Sequence, residues 1–204
     1  METSSKLPSF TSYFNVPNNQ TAQSDKQKKG IQSIDETQII YPKEIIDRRE
    51  YQIKVSMKAL NFNSIIVLPK RLGKTTILTI IIMNIQNPEK IVFLSNDFES
   101  VRYLSSFFSV EPLYGTNPHE NQQLWQKQHI IFTSKEVLLN SISHEQFQPF
   151  EPELLIFDDF SIDDLCEKEK IIISNLKNQN KKKCRIIGTT SIMPNDKCQI
   201  QNII

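Results

Sequence analysis

Five short runs of apolar, largely β-branched residues punctuate the chain. They are "SIIVL" (64–68), "KIVFL" (90–94), "HIIFTS" (129–134), "ELLIFDDF" (153–160) and "KCRIIGTTS" (183–191). Between them lie segments that read as helices: "PKEIIDRREYQIKVSMKAL" ending near Leu60, "KTTILTIIIMNI" (74–85), "FESVRYLSSFF" (98–108), "KEVLLNSI" (135–142) and "CEKEKIIISNLKNQN" (166–180). The pattern assigns no element to residues 109–128. The apolar runs are continuous rather than alternating, which is the mark of strands buried on both faces. Strands alternating with helices therefore predict an α/β domain, with a central parallel sheet and helices on both faces.

Residues 1–38 break this pattern. They are rich in Ser, Thr, Asn, Gln and Lys, and "NNQTAQSDKQKKG" offers nothing to bury. The expectation is a disordered N-terminal tail ahead of one folded domain over 39–204. Within the tail, "LPSFTSYF" (7–14) spaces Phe10, Tyr13 and Phe14 so that one helical turn would present all three to a groove. It is similar to sliding-clamp-binding peptides, with Leu7 where their glutamine usually stands. The competing reading is an unstructured tail with a few aromatics.

Composition narrows the classes. A formal net charge of +1 exerts no global pull toward nucleic acid or membrane. The three cysteines, Cys166, Cys184 and Cys198, are far apart and form no metal or disulfide framework, which fits a reducing compartment, nucleus or cytoplasm. The N-terminus lacks a secretory signal. The longest apolar run, Ile77 to Met83, falls far short of the ~20 residues that span a bilayer.

The candidate chemistry lies in "SIIVLPKRLGKTTILTI" (64–80). A strand, a loop ending Gly73-Lys74-Thr75, then a helix is the context of a phosphate-binding loop. Backbone N–H groups and the helix N-terminus would meet phosphate. Lys74 would reach the β/γ-phosphates, and the Thr75 hydroxyl would hold Mg²⁺. The full signature requires glycine at position 68, where this chain has Leu68. The partner element is an acid at a strand end. "LLIFDD" supplies Asp158 for the metal and Asp159 where a water-activating carboxylate belongs. Each has a bland alternative: a chance Gly-Lys-Thr at a helix start, and two acids facing solvent.

Taken in order, these segments resemble the first lobe of a superfamily 2 DNA helicase of the Fanconi anaemia group M/Hef type. "RREYQIKVSMKALNFNSIIVLPKRLGKT" resembles that family's R-x-Y-Q, helix and LPTGLGKT strand–loop. "LWQKQHIIFTSKEVLLNSI", "LLIFDDFS" and "RIIGTTSIMPNDKCQIQNII" follow in family order. The resemblance covers about residues 40–204. It implies a RecA-like P-loop fold, ATP and Mg as ligands, and branched or fork DNA as partner in a nuclear repair setting. By position, Gln52 would read the adenine edge with Tyr51 and Arg49 beside it. Arg71, Gly73, Lys74 and Thr75 would meet nucleotide, and Asp158 would hold the metal. Thr133 and Lys135 would lie on the strand-contacting surface, and Thr189 to Ile192 in the motif that couples hydrolysis to DNA movement.

Departures fall on the same positions. The family's Pro-Thr-Gly is Pro69-Lys70-Arg71, and the catalytic glutamate is Asp159, one methylene shorter. Ser161 replaces a histidine, Asp97 and Glu99 enter a basic strand-contacting segment, and Met193 stands in the coupling motif. Such motors hold ATP between two lobes, and this sequence ends at Ile204, near the end of the first. The expectation is an eroded ATP site with weak or lost hydrolysis and no autonomous unwinding. The alternatives are a non-catalytic scaffold module of a repair complex, or a decaying fragment.

Overall fold

The computed structural model describes residues 39–43, 49–85, 88–115, 117–143, 150–160, 167–179 and 184–191. All belong to the unit that spans Ser33–Ile204. The tail and its 7–14 motif lie outside the described residues, as do Ser161, Ile192, Met193 and the basic run at 181–183.

The strands are β1 (Ser64–Val67), β2 (Ile91–Leu94), β3 (Ile130–Thr133), β4 (Leu154–Phe157) and β5 (Arg185–Thr190). They form one sheet in the order β1-β5-β4-β2-β3, and every pairing is parallel. The helices are α1 (Glu50–Asn61), α2 (Lys74–Met83), α3 (Phe98–Phe107), α4 (Pro118–Lys127), α5 (Lys135–Ser143) and α6 (Glu167–Gln179).

Successive strand residues serve opposite faces. Ile66, Ile91, Phe93, Leu154, Ile156 and Ile187 pack with Val55, Ala59, Leu104 and the apolar run of α2. Val92, Leu94, Ile131, Leu155 and Phe157 pack with Trp125, Leu138, Ile142 and Leu176. Helices α1, α2 and α3 thus cover one face, and α4, α5 and α6 the other. The predicted parallel α/β sheet, helices on both faces, is what is found. Every residue from Ile77 to Ile82 of α2 is buried, so packing overrides the weak helix propensity of its isoleucines.

Helix α4 was not foreseen. Its sequence, PHENQQLWQK, has two strongly apolar residues and no period. It is started by Asn117, whose side chain accepts from His119 N at 3.1 Å. Trp125 anchors its far end, buried against Phe150 with ring centroids 5.9 Å apart. The Lys90 ammonium sits 4.9 Å from the Trp125 ring centre and donates to the Trp125 and Gln128 carbonyls at the helix C-terminus.

Parallel strands point their C-terminal ends the same way. The β1–α2 loop, the acids after β4 and the end of β5 therefore gather at one edge of the sheet, where open α/β folds place their ligands.

Candidate functional site

Loop 69–73 joins β1 to α2. Pro69, Lys70, Arg71 and Leu72 are exposed. Arg71 takes a left-handed backbone at φ 68°, and Gly73, the N-cap of α2, another at φ 82°. The Gly73 conformation carries no Cβ penalty, whereas that of Arg71 costs about 1–2 kcal/mol. A side chain at 73 would also collide with the Gln52 amide nitrogen. Glycine is thus required at 73 twice over, by backbone angle and by space.

Helix α1 braces this loop. The Tyr51 hydroxyl donates to Leu72 O at 2.5 Å, and Arg49 donates to the Tyr51 oxygen at 3.4 Å. Gln52 is 3% exposed. Its Oε1 accepts from the Tyr41 hydroxyl at 2.7 Å, and its Nε2 lies against Gly73. Gln52, the expected adenine reader, thus lies against the loop.

Lys74 opens α2, and its ammonium donates to Asp159 Oδ1 at 2.8 Å. The Lys74 side chain is 13% exposed and that of Asp159 62%. Asp159 reaches it from a left-handed backbone at φ 50°, a region aspartate tolerates better than most residues. Asp158 points the other way. It is 8% exposed, its Oδ1 accepts from the Thr189 hydroxyl at 2.7 Å, and its Oδ2 accepts from Ser95 Oγ at 3.2 Å. Burial, the largest effect, raises its carboxyl above the ordinary range against the pull of the Thr189 hydroxyl. The Thr189 oxygen also accepts from Asp159 N at 3.3 Å, so the end of β5 fixes both acids.

Two groups of expected residues separate here. Gln52, Arg71, Gly73, Lys74 and Thr75 lie on α1, the loop and the first turn of α2, with Asp158 and Asp159 just beyond the end of β4 and Asp159 paired with Lys74. Thr133 and Lys135 are elsewhere and inside. Thr133 is fully buried, and its hydroxyl donates to Leu113 O at 2.8 Å. The Lys135 ammonium is buried against Glu169 of α6. Neither side chain faces outward as a strand-contacting surface requires, because packing of α5 on α6 and of residue 113 on β3 consumes them.

Asp97 likewise has a local role. It caps α3, accepting from Glu99 N at 3.3 Å and Ser100 N at 3.2 Å. The Ser100 hydroxyl bond holds its carboxyl below the ordinary range. The sequence reading passed over Tyr41 and Ser95. Ser95 had a signal, a hydroxyl directly after an apolar strand; Tyr41 had none.

The residues present fit a polyphosphate. Gly73 provides no side-chain cap, and the first turn of α2 carries no acid, so its N–H groups can meet an anion, which would compete with Asp159 for Lys74. Mg²⁺ is usually bound through one or two carboxylates together with phosphate and water. Asp158 has lone pairs beyond the two its hydroxyl partners occupy.

No protein-family model and no curated protein matches the chain. Solved structures do. The helicase domain of Hef from Pyrococcus furiosus superposes with a TM-score of 0.67 at 22% identity, over 77% of this chain and 35% of that one. A yeast DEAD-box splicing factor gives 0.53 at 15%, over 70% of this chain and 38% of that one. The chain thus spans little more than a third of either structure. The likeness establishes the fold alone: a RecA-like α/β lobe.

Proposed function

We propose that this helicase-like lobe binds Mg-nucleotide, ATP by resemblance, at the mouth between β1 and β4, and hydrolyses it slowly or not at all. The observation that carries the reading is the Lys74–Asp159 contact of 2.8 Å. It places a lysine at a helix N-terminus opposite strand-end acids, the charge arrangement a Mg-polyphosphate requires. Lys74 and the N–H groups of α2 would take phosphate oxygens, and Thr75 and Asp158 would hold the metal. Bound Mg²⁺ would neutralise phosphate charge and polarise the terminal phosphoryl group.

Slow hydrolysis follows from Asp159. Its carboxylate is one methylene shorter than glutamate and is turned onto Lys74. A displacement of ~1 Å in a reacting group costs about 10²-fold in rate. The partner setting we propose is a DNA repair or replication-fork helicase assembly in the nucleus, with branched DNA as the nucleic acid. Thr133 and Lys135 are not part of that proposal. No helix among the described residues is long and apolar enough to cross a membrane.

A thermal-shift series tests the binding. Millimolar Mg-ATP should raise the melting temperature of the wild type and leave Lys74→Ala unmoved. Equal shifts in both proteins would place the nucleotide elsewhere, and no shift in either would end the reading.

A further inference from the structure

Ser95 follows β2 with a buried hydroxyl, 2% exposed, that is bonded on both sides. We propose that Ser95 is a positioning residue for Asp158. Its hydroxyl sets the carboxylate in the one orientation that takes a divalent cation together with a polyphosphate. The inference rests on the nucleotide-site reading above.

The direction of each bond follows from the donors present. The Asp97 backbone N–H donates to Ser95 Oγ at 3.1 Å. A hydroxyl carries one proton, and a carboxylate in the ionised form that ligates a metal only accepts. The Ser95 proton therefore goes to Asp158 Oδ2, 3.2 Å away. The end of β5 repeats the pattern. Thr189 Oγ1 accepts from Asp159 N at 3.3 Å and donates to Asp158 Oδ1 at 2.7 Å. Each carboxylate oxygen thus receives one hydroxyl, and each hydroxyl is oriented by a backbone N–H. Both donor chains polarise toward Asp158, which strengthens them.

The frame behind this clamp is rigid. Ser95 N donates to Thr133 O at 3.1 Å, and Asp158 N donates to Leu94 O at 2.8 Å. The two backbones are pinned across β2, β3 and β4, so the Ser95 hydroxyl cannot follow a carboxylate that turns. Rotation of the Asp158 carboxylate would forfeit both hydroxyl bonds at a position only 8% exposed. The two bonds leave lone pairs on both oxygens for a cation. Ser95 belongs to a different strand end from Thr189, so the metal carboxylate is held from both neighbouring strands of β4.

Calorimetric titrations of ATP into one protein, with Mg²⁺ and then in EDTA, test this. The ratio of the two affinities measures what the cation contributes. Ser95→Ala should lower that ratio ~10-fold or more, the usual cost of losing a hydrogen bond to a metal-ligating group. It should leave the metal-free affinity within ~2-fold, because the phosphate contacts are independent of it. Ser95→Cys, whose thiol is a weaker donor, should fall between wild type and alanine, and serves if the alanine variant fails to fold. In an Asp158→Asn background, Ser95→Ala should lower the ratio no further, since the hydroxyl acts through the carboxylate. A common fall in both affinities, or an unchanged ratio, would overturn the inference and leave the phosphate site standing. Equal binding with and without Mg²⁺ by the wild type would overturn it as well. Absence of any binding by the wild type would remove the nucleotide site and this inference together.

Discussion

The Lys74 ammonium donates to Asp159 Oδ1 at 2.8 Å, across a sequence separation of 85 residues. It joins the first residue of α2 to the residue that follows the buried acid of β4. The carboxylate holds the cation that a phosphate would take, so ligand and Asp159 compete for Lys74. Asp159 is 62% exposed, and an exposed pair of this kind contributes about 0.2–1 kcal/mol after solvent screening. Asp159→Asn should tighten Mg-nucleotide binding ~1.4–5-fold, the equivalent of that energy, and barely change stability. Titration of wild type and variant side by side checks this; weaker binding in the variant would show that Asp159 assists the ligand.

Gly73→Ala tests the brace on the loop. The variant must hold a side chain at φ 82° and displace the Gln52 amide. The left-handed backbone alone costs about 1–2 kcal/mol, and the collision adds to it. Urea denaturation should register a loss of at least that size. Arg71→Gly should move the opposite way or not at all, because glycine relieves the φ of 68° and costs chain entropy in return.

The buried Asp158 gives stability a pH dependence of known sign. Its folded pKa lies above its unfolded value, chiefly through burial. The folded protein therefore binds more protons across that interval, and this group's contribution to stability falls as pH rises through it. It is least unfavourable below the unfolded pKa, and its full cost is present above the folded one. Asp158→Asn should abolish this component. Thr189→Val removes a hydroxyl bond that opposes the rise, so the interval should extend upward. It should also cost about 1–3 kcal/mol through the lost partner of a buried carboxylate. Denaturation midpoints measured across the carboxylate range compare the three proteins.

Lys135 and Glu169 form a buried ion pair between α5 and α6, with side chains 9% and 0% exposed. Lys135→Met leaves a carboxylate with no counter-charge inside the protein and should destabilise by roughly 3–5 kcal/mol. The double variant Lys135→Met with Glu169→Leu should recover most of the loss. A double-mutant cycle measures it; additive losses would show that the two side chains do not depend on each other.

The sheet was legible because its evidence is local. A run such as Leu154–Phe157 is apolar at every position, and burial on both faces is the way to satisfy it. The loop was legible for the same reason, since Gly73, Lys74 and Thr75 are adjacent and their spacing is their geometry. Helix α4 was not, because its stability comes from one cap and one tryptophan rather than from a periodic face. The partners of Gln52, Asp97, Thr133 and Lys135 were not legible in the sequence for a common cause. Each is decided by a partner the sequence does not place beside it in meaning: Tyr41 and Gly73 for the glutamine, the N–H groups of α3 for Asp97, the Leu113 carbonyl for the threonine, Glu169 for the lysine. Resemblance carries a role to Gln52, Thr133 and Lys135 but says nothing of the partners that packing gives them.

We propose that Lys74 and the N-terminus of α2 hold a Mg-polyphosphate. Calorimetric titration of Mg-ATP into the wild type and into Lys74→Ala tests it most directly. The wild type should give saturable heat and the variant at least ~10-fold weaker binding, the loss expected when one charge-assisted phosphate contact is removed. Binding of equal affinity in the two proteins would contradict it.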